Sequence, residues 1–263
     1  MAAEGGRVGR IVRKSLGTGR RVTDSPMLRK SPPGLASRDQ PPPYREGSAL
    51  AADRSAALKI NPVSRETLER LDRFVPLLLE WQRTVNLIAP STVAHVWTRH
   101  LADSLQLIDL APGARTWIDV GSGGGFPGLI IACALASQPG VSIHLVEANT
   151  RKAAFLREAQ RLTGAPARVH AQRMEEFAQN FSGDVDVICA RAISPLKSLL
   201  ELTFPLLKRP QAVGLFPKGK NAEDELHEAS NSWKMRAILV ASRTDPAGRI
   251  IAIRNLERAG GLP

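Results

Sequence analysis

The sequence predicts an α/β fold: a doubly wound parallel sheet, closed by a C-terminal antiparallel hairpin and preceded by a small N-terminal helical cap. Three observations carry that prediction. From Thr116 onward, five short apolar runs alternate with stretches of helical spacing, the pattern of a parallel sheet covered on both faces. The first run opens into IDVGSGGGFPG, Ile118 to Gly128, with five glycines in eleven residues. The last two runs, AILVASR and RIIAIRN, are joined by Asp245, Pro246, Ala247 and Gly248, a turn short enough only for a hairpin.

Taken in order, residues 1–49 read as a disordered tail. They hold ten Lys/Arg against four Asp/Glu, with six prolines, seven glycines, five serines and a single aromatic, Tyr44, too little apolar surface to offset the entropy of ordering the chain. Residues 50–112 read as the cap. Within it, Val63 to Val85 forms an amphipathic helix with Ser64 as N-cap and Leu68, Leu71, Val75, Leu78 and Leu79 on one face. Pro76 removes one backbone hydrogen bond and crowds the carbonyl of Asp72, so a kink is expected there. A second helix is expected from about Ser91 to Leu110.

Residues 113–263 read as the main domain. Its strands are TWIDV, VSIHLVE (Val141 to Glu147), ARVHAQ (Ala167 to Gln172), VDVICA (Val185 to Ala190) and AVGLFP (Ala212 to Pro217). Gly164 stands at the C-cap of the helix running from Thr150 to Leu162, and Pro195 stands near the start of the helix after the fourth strand.

Composition narrows the function. Hydrophobic residues make up 43% of 263, enough for a real core. The apolar run Leu129 to Ala136 is far shorter than the roughly 20 residues that span a bilayer, and nothing near the N-terminus resembles a signal peptide, so a cytoplasmic protein with no membrane partner is expected. Two cysteines, Cys133 and Cys189, make neither a disulfide framework nor a four-ligand zinc site; both read as small buried hydrophobes. Of the formal charge of +11, the tail carries +6 and the other 214 residues +5. That excess suits a polyanionic partner. The tail itself reads as a basic arm that touches RNA, as a transit-like peptide, or as sequence upstream of the true start.

The glycine turn points to a ligand, because glycine is costly unless the backbone takes unusual dihedrals or something approaches closely. In an open parallel sheet ligands lie at the carboxyl ends of the strands where strand order reverses, and the turn after the first strand reaches that point. Pro127 and Gly128 open the next helix, whose N-terminus favours negative charge. Glu147 stands 28 residues after Asp119, at the end of the second strand, where a carboxylate can accept both hydroxyls of a ribose. Gly123, Gly125 and Gly128 also satisfy the GxGxxG of dinucleotide enzymes. Asp119 followed by glycines at 121, 123 and 125 favours a cationic cofactor instead: a carboxylate beside the turn repels a pyrophosphate and attracts the ammonium and sulfonium of S-adenosylmethionine.

The motifs NLIAP, RHLADSL, DVGSGGGFPG, RMEEF, ARAISPL and PKG fall in the order and spacing of the bacterial small-subunit (16S) ribosomal RNA N7-guanine methyltransferases, the glucose-inhibited division protein B family, which this chain resembles from about Leu50 to its C-terminus. The resemblance implies a Rossmann-like class I methyltransferase sheet, S-adenosyl-L-methionine as cofactor, and 16S rRNA or the small ribosomal subunit as partner, with the enzyme acting as a monomer. Carried over residue by residue, it places cofactor contacts on Gly121 and Phe126 in the glycine turn, on Met174 and Glu175, and on Arg191, which is also the catalytic candidate; Gly123 and Glu147 join them from the reading of the turn and the strand end. RMEEF follows the third strand, where backbone and side-chain groups meet an adenine edge, and Arg191 follows the fourth, beside the expected methyl position. Two departures stand out: Pro76 interrupts a helix that is continuous in relatives, and Cys189 replaces another small residue.

The chemistry agrees with the resemblance. Methylases of exocyclic amines place an Asn or Asp with two prolines and an aromatic after the fourth strand, where this chain has ARAISP. Pyrimidine C5 methylation needs a cysteine thiolate, generally in a Pro-Cys pair, and neither cysteine has that context. Guanine N7 has a lone pair and no proton to lose, so alignment suffices. Its target is expected in a loop, turned out of its stack. Lys218 and Lys220 are candidates for RNA phosphate contacts. His100 and Asp103, three apart on one helical face, are close enough to hydrogen bond, and a structural role is expected. Two alternatives account for part of the pattern: a nicotinamide-dependent oxidoreductase, and an RNA-binding protein with a degenerate cofactor pocket.

Overall fold

The computed structural model describes residues 47–191 and 195–260. The tail expectation therefore falls almost entirely outside the described residues, as do residues 192–194 of the ARAISPL motif. At the start of the described chain, Ser48 accepts a hydrogen bond from the Ala51 N–H and caps a helix, α1 (Ala49–Ile60). Only Asp53 and Ala57 of α1 are buried, so the helix lacks the apolar stripe by which sequence reading finds helices.

Polar side chains hold α1 in place. Arg54 grips Asp72 of α2 (Arg65–Gln82) with two N–H donors at 2.8 and 2.7 Å, the bidentate geometry that makes such pairs strong. Asp53 reaches the segment after α2, accepting from the Trp97 N–H at 2.8 Å, the Thr98 N–H at 3.3 Å and the Thr98 hydroxyl at 2.5 Å. The second expected helix is thereby broken up. Because Asp53 takes the amides of Trp97 and Thr98, the run forms a 3-10 turn (Pro90–His95), a π-turn (Trp97–Ala102), the short α3 (Asp103–Leu105) and a second 3-10 turn (Ile108–Leu110). In α2, by contrast, the helix continues through Pro76 to Gln82; the proline costs one backbone bond and does not end the element.

The sheet has the expected strands: β1 (Thr116–Val120), β2 (Ser142–Val146), β3 (Ala167–His170), β4 (Val187–Cys189), β5 (Val213–Lys218), β6 (Trp233–Ala241) and β7 (Arg249–Arg258). Between them lie α4 (Gly128–Leu135), α5 (Thr150–Thr163), α6 (Met174–Asn180), α7 (Leu196–Leu207) and α8 (Ala222–Ser230). Strand order is β3-β2-β1-β4-β5-β7-β6. β1 to β5 run parallel, β7 inserts antiparallel beside β5, and β6 forms the edge. The chain winds outward from β1 on one side and from β4 on the other, so the reversal point lies between those two strands, and the turns after them meet above it. β6 starts four residues earlier than the apolar run AILVASR, because Trp233 and Met235 pack inward while Lys234 and Arg236 face solvent.

One cluster of buried side chains runs from Leu71, Phe74 and Leu78 of α2 through Leu129 and Ile130 of α4 to Phe155 of α5. Phe74 touches the rings of Phe126 and Phe155 at 5.6 and 6.1 Å, which seats the helices before β1 directly against the glycine turn. The opposite face is covered by a second cluster with Phe177, Leu199, Leu200 and Trp233.

Replacing Asp53 with Ala would leave the amides of Trp97 and Thr98 without their acceptor, a loss of about 1–3 kcal/mol. The expected outcome is a melting temperature lower by several degrees, with Asp53→Asn intermediate because it keeps one oxygen acceptor; a D53A protein that melts with the wild type contradicts this role.

Candidate functional site

The site begins where β1 ends. Gly121, Gly123 and Gly125 have φ of 63°, 49° and 89°, left-handed values that a side chain resists, so the alternate glycines of the sequence are alternate left-handed residues in space. The reversal is closed by short bonds: the Gly125 N–H donates to the Ser122 carbonyl at 2.7 Å, and the Ser122 N–H to the Val146 carbonyl at 3.1 Å. At Gly128 an added Cβ would lie 2.5 Å from both the Asp119 Cβ and the Leu145 Cδ2, so only glycine lets the start of α4 approach β1 and β2.

Asp119 is not where the sequence reading puts it. Its side chain is fully buried and accepts from the Gly128 N–H at 3.0 Å. It faces inward and pins α4 to β1, with no exposure to a ligand in the turn. Burial pushes its pKa up to about 7, against the hydrogen bonds from Ser122 and Gly128 that favour the charged form. The preference for a cationic cofactor therefore cannot rest on a carboxylate of Asp119 beside the ligand.

Glu147 is the outer carboxylate of the turn. One oxygen accepts from the Gly123 N–H at 2.9 Å, the other from the Asn149 N–H at 2.7 Å. Each oxygen has a second lone pair, so the group that steadies the turn can also accept a ribose hydroxyl.

Arg191 is held against the cap. Its guanidinium donates to the Arg99 carbonyl at 2.7 Å, to Asp103 at 3.1 Å and to Nδ1 of His100, and it lies 5.3 Å over the Phe126 ring. Burial lowers the pKa of His100 to about 3, and the charges of Arg191 and Arg99 push the same way. The imidazole is neutral, accepts from Arg191 at Nδ1, and so donates from Nε2 to the Thr92 hydroxyl at 2.7 Å. His100 and Asp103, which the sequence places within hydrogen-bond reach of each other, are instead both bonded to Arg191, which bridges them; Asp103 also accepts from Thr244 and Gln106, both at 2.8 Å.

The remaining expected residues fall in different surroundings. The Phe126 side chain is buried between Phe74, His100 and Arg191, so a ligand in the turn would meet its backbone. Met174 is buried in the second core while Glu175 is exposed; both belong to the first turn of α6, whose leading N–H groups have no intrahelical acceptor. Lys218 forms an ion pair with Glu225 of α8 at 2.7 Å, its side chain only 10% exposed. The sequence offered it as a phosphate contact; it is paired with Glu225 and lines the cavity beside Arg191. Lys220 is exposed. Both thiols are free and buried, with burial pushing the pKa of Cys133 up to about 12 and that of Cys189 well above its ordinary value.

A cavity of about 810 Å³ opens beside Arg191, lined among others by Arg99, Asp103, Lys218, Glu225, Thr244 and Asp245. Arg99 and Asp245 pair across it at 2.7 Å, joining the cap to the β6–β7 turn. Sequence reading missed Thr244 and Asp245 as site residues, since within their own segment they are only turn formers. Nothing local marks a turn that folds back 140 residues later onto the cap.

Residues 67–247 match the model of a family described as rRNA small subunit methyltransferase G. A protein of Bradyrhizobium sp. (strain BTAi1 / ATCC BAA-1182) named Ribosomal RNA small subunit methyltransferase G is 55% identical over 209 residues, covering 80% of this chain and 94% of its own. One of the same name from Methylobacterium nodulans is 50% identical over 214 residues, covering 81% and 99%. Among solved structures, the O-methyltransferase from Bacillus cereus in complex with SAH matches with a TM-score of 0.51 at 15% identity, over 77% of this chain and 97% of that one. A putative O-methyltransferase from Klebsiella pneumoniae gives 0.51 at 14%, over 78% and 96%. At such identities the structural matches establish the fold alone, a Rossmann-like α/β sheet.

The raised pKa of Asp119 has a signed consequence. Below about pH 4 the carboxyl is protonated whether the chain is folded or not. As pH rises from there to about 7 the unfolded chain ionises while the folded one does not, so stability contributed by this group is lost over that window. Urea titrations at several pH values are expected to show wild type losing as much as ~4 kcal/mol relative to Asp119→Asn between pH 4 and 7. Parallel pH profiles for the two proteins would contradict the burial of an uncharged Asp119.

Proposed function

Because the chain belongs to the rRNA small subunit methyltransferase G family, we propose that it transfers a methyl group from S-adenosylmethionine to N7 of a guanine in a loop of small-subunit (16S) ribosomal RNA, acting as a cytoplasmic monomer. On this reading residues 50–112 cap a methyltransferase domain formed by residues 113–263. Among the described residues no helix is long and apolar enough to cross a membrane.

The glycine turn and Glu147 fit the cofactor. The left-handed glycines present backbone without side chains, and the unused lone pairs of Glu147 suit a ribose diol. Gly121 and Gly123, the backbone of Phe126, and the first-turn amides of Met174 and Glu175 complete the proposed contacts. When bound, S-adenosylmethionine supplies an electrophilic methyl on a sulfonium.

The observation that carries the reading is the placement of Arg191. Three of its N–H donors are committed to Arg99, Asp103 and His100, and its face lies on Phe126 of the glycine turn. It stands as a fixed cation where the cavity meets the turn. Of its five donors two are left for a base, and guanine offers O6 as an acceptor beside N7. N7 needs no base to deprotonate it, and the nearby ionisable groups are accordingly occupied with structure: His100 is neutral and doubly bonded, and Asp119 is buried. What the protein contributes is alignment of N7 with the methyl, worth several kcal/mol of barrier.

Purified protein with labelled S-adenosylmethionine is expected to label small subunits, or their RNA, from cells lacking the enzyme, at guanine N7. Arg191→Lys, which keeps the charge but cannot make the same three contacts, should lower kcat about 100-fold and the melting temperature by several degrees, with the protein still folded. Label on a guanine carbon or amine, or full activity of R191K, overturns the mechanism.

A further inference from the structure

At the far end of the sheet one face of the β6–β7 ribbon is uncovered around Lys234 to Ile238, beyond the stretch where Val240, Ala252 and Ile250 pack against the first core. Trp233, Met235, Ala237 and Leu239 pack into the second core. By the two-residue period of a strand, Lys234, Arg236, Ile238 and Val240 lie on the opposite face. Lys234, Arg236 and Ile238 are exposed there. A register shift between Lys234 and Arg236, opposite Asn255 with its φ of 53°, sets the pairing that follows.

That pairing places Lys234 opposite Glu257, an attractive match, and Arg236 opposite Arg254, which is also exposed. Side chains directly opposed in an antiparallel pair have Cβ atoms about 4.5–5.5 Å apart, and like charges there destabilise the ribbon. Among the described residues neither guanidinium has an ion pair. On the other face of the same ribbon, Arg258 pairs with Glu201 at 2.9 Å and stacks on Trp233, so acids are supplied where the fold needs them. Edge strands do carry charge to block pairing with other chains, and that would account for Arg236 on the edge strand β6. It does not account for Arg254, which is on β7, between β5 and β6.

We infer that Arg236 and Arg254 together bind a backbone phosphate of the ribosomal RNA substrate, at a contact separate from the reaction centre. The inference rests on the RNA reading given above. Two adjacent guanidinium forks match a phosphate's oxygens, which a lone lysine meets only as a point charge. Arg254 lies four residues along β7, on the same face, from Ile250, which lines the cavity, a span of roughly 14 Å. RNA flanking a target nucleotide in the cavity can therefore run down the ribbon and neutralise the pair.

The test is the double variant Arg236→Gln with Arg254→Gln, assayed for methyl transfer to unmodified small subunits over a range of salt, and for filter binding of naked small-subunit rRNA. The expected result is a KM raised about tenfold and a salt slope shallower by about 1–2. Binding of naked RNA should weaken in parallel, with kcat and affinity for S-adenosylhomocysteine unchanged. Because a repulsive pair is removed, the melting temperature should rise by about 1–3 °C. Unchanged KM and salt slope overturn the inference, with or without aggregation, which would mark the pair as an edge guard. So does a fall in kcat together with melting temperature, which would make the pair structural, or a loss seen with subunits but not with naked RNA, which would assign the contact to a ribosomal protein. Wild type that methylates no RNA at all removes the functional reading itself, whereas normal wild-type activity with an indifferent double variant removes only this contact.

Discussion

Two carboxyl groups hold the backbone turn on which the rest of the site depends. Asp119, inside, accepts from Gly128 and fixes the start of α4; Glu147, outside, accepts from Gly123 and fixes the middle of the turn. Between these anchors the chain passes through three left-handed glycines, a conformation with little local reason to persist. Hydrogen bonds to carboxyl groups under low exposure are strong enough to impose it. The turn is thus fixed from β1 and from β2 at once, which is possible because the two strands are parallel neighbours in register from Thr116–Ser142 to Val120–Val146.

The helices before β1 depend on that turn. Phe126 projects from it into a ring cluster with Phe74 and His100 and carries Arg191 on its face. Arg191 follows β4, and its other contacts are on the cap, so one side chain joins turn, strand end and cap. The 3-10 and π pieces at Pro90–Ala102 are the counterpart of this arrangement: with Asp53 taking the amides of Trp97 and Thr98, the segment presents the Arg99 carbonyl, His100 and Asp103 together toward Arg191. Irregular helix of this kind recurs at functional sites.

The sequence made legible those features whose cause is local. β1, β2, β4 and β5 are largely buried and read as apolar runs, as does the half-buried edge strand β3; the hairpin closes over the short stretch Ser242 to Gly248; the alternate glycines announce left-handed backbone; Glu147 lies at a strand end. Features with a distant cause were hidden. α1 buries only Asp53 and Ala57, so its order comes from Asp72, Trp97 and Thr98, far along the chain. The irregular helix is broken by an acid 44 residues upstream. Asp119 looked like a ligand-facing charge because sequence shows its position beside the turn and not its direction. Lys218 looked like a free cation because Glu225 arrives on the next helix. The opposition of Arg236 and Arg254 follows from a register shift that spacing alone does not reveal.

Calorimetric titration with S-adenosylhomocysteine of the wild type and of Glu147→Ala, with melting temperatures recorded alongside, addresses the turn most directly. If Glu147 both steadies the glycines and receives the ribose, the wild type binds and the variant binds at least about tenfold more weakly while still folding. Equal affinities would show that the turn needs no outer carboxylate and that the cofactor, if it binds, is held elsewhere.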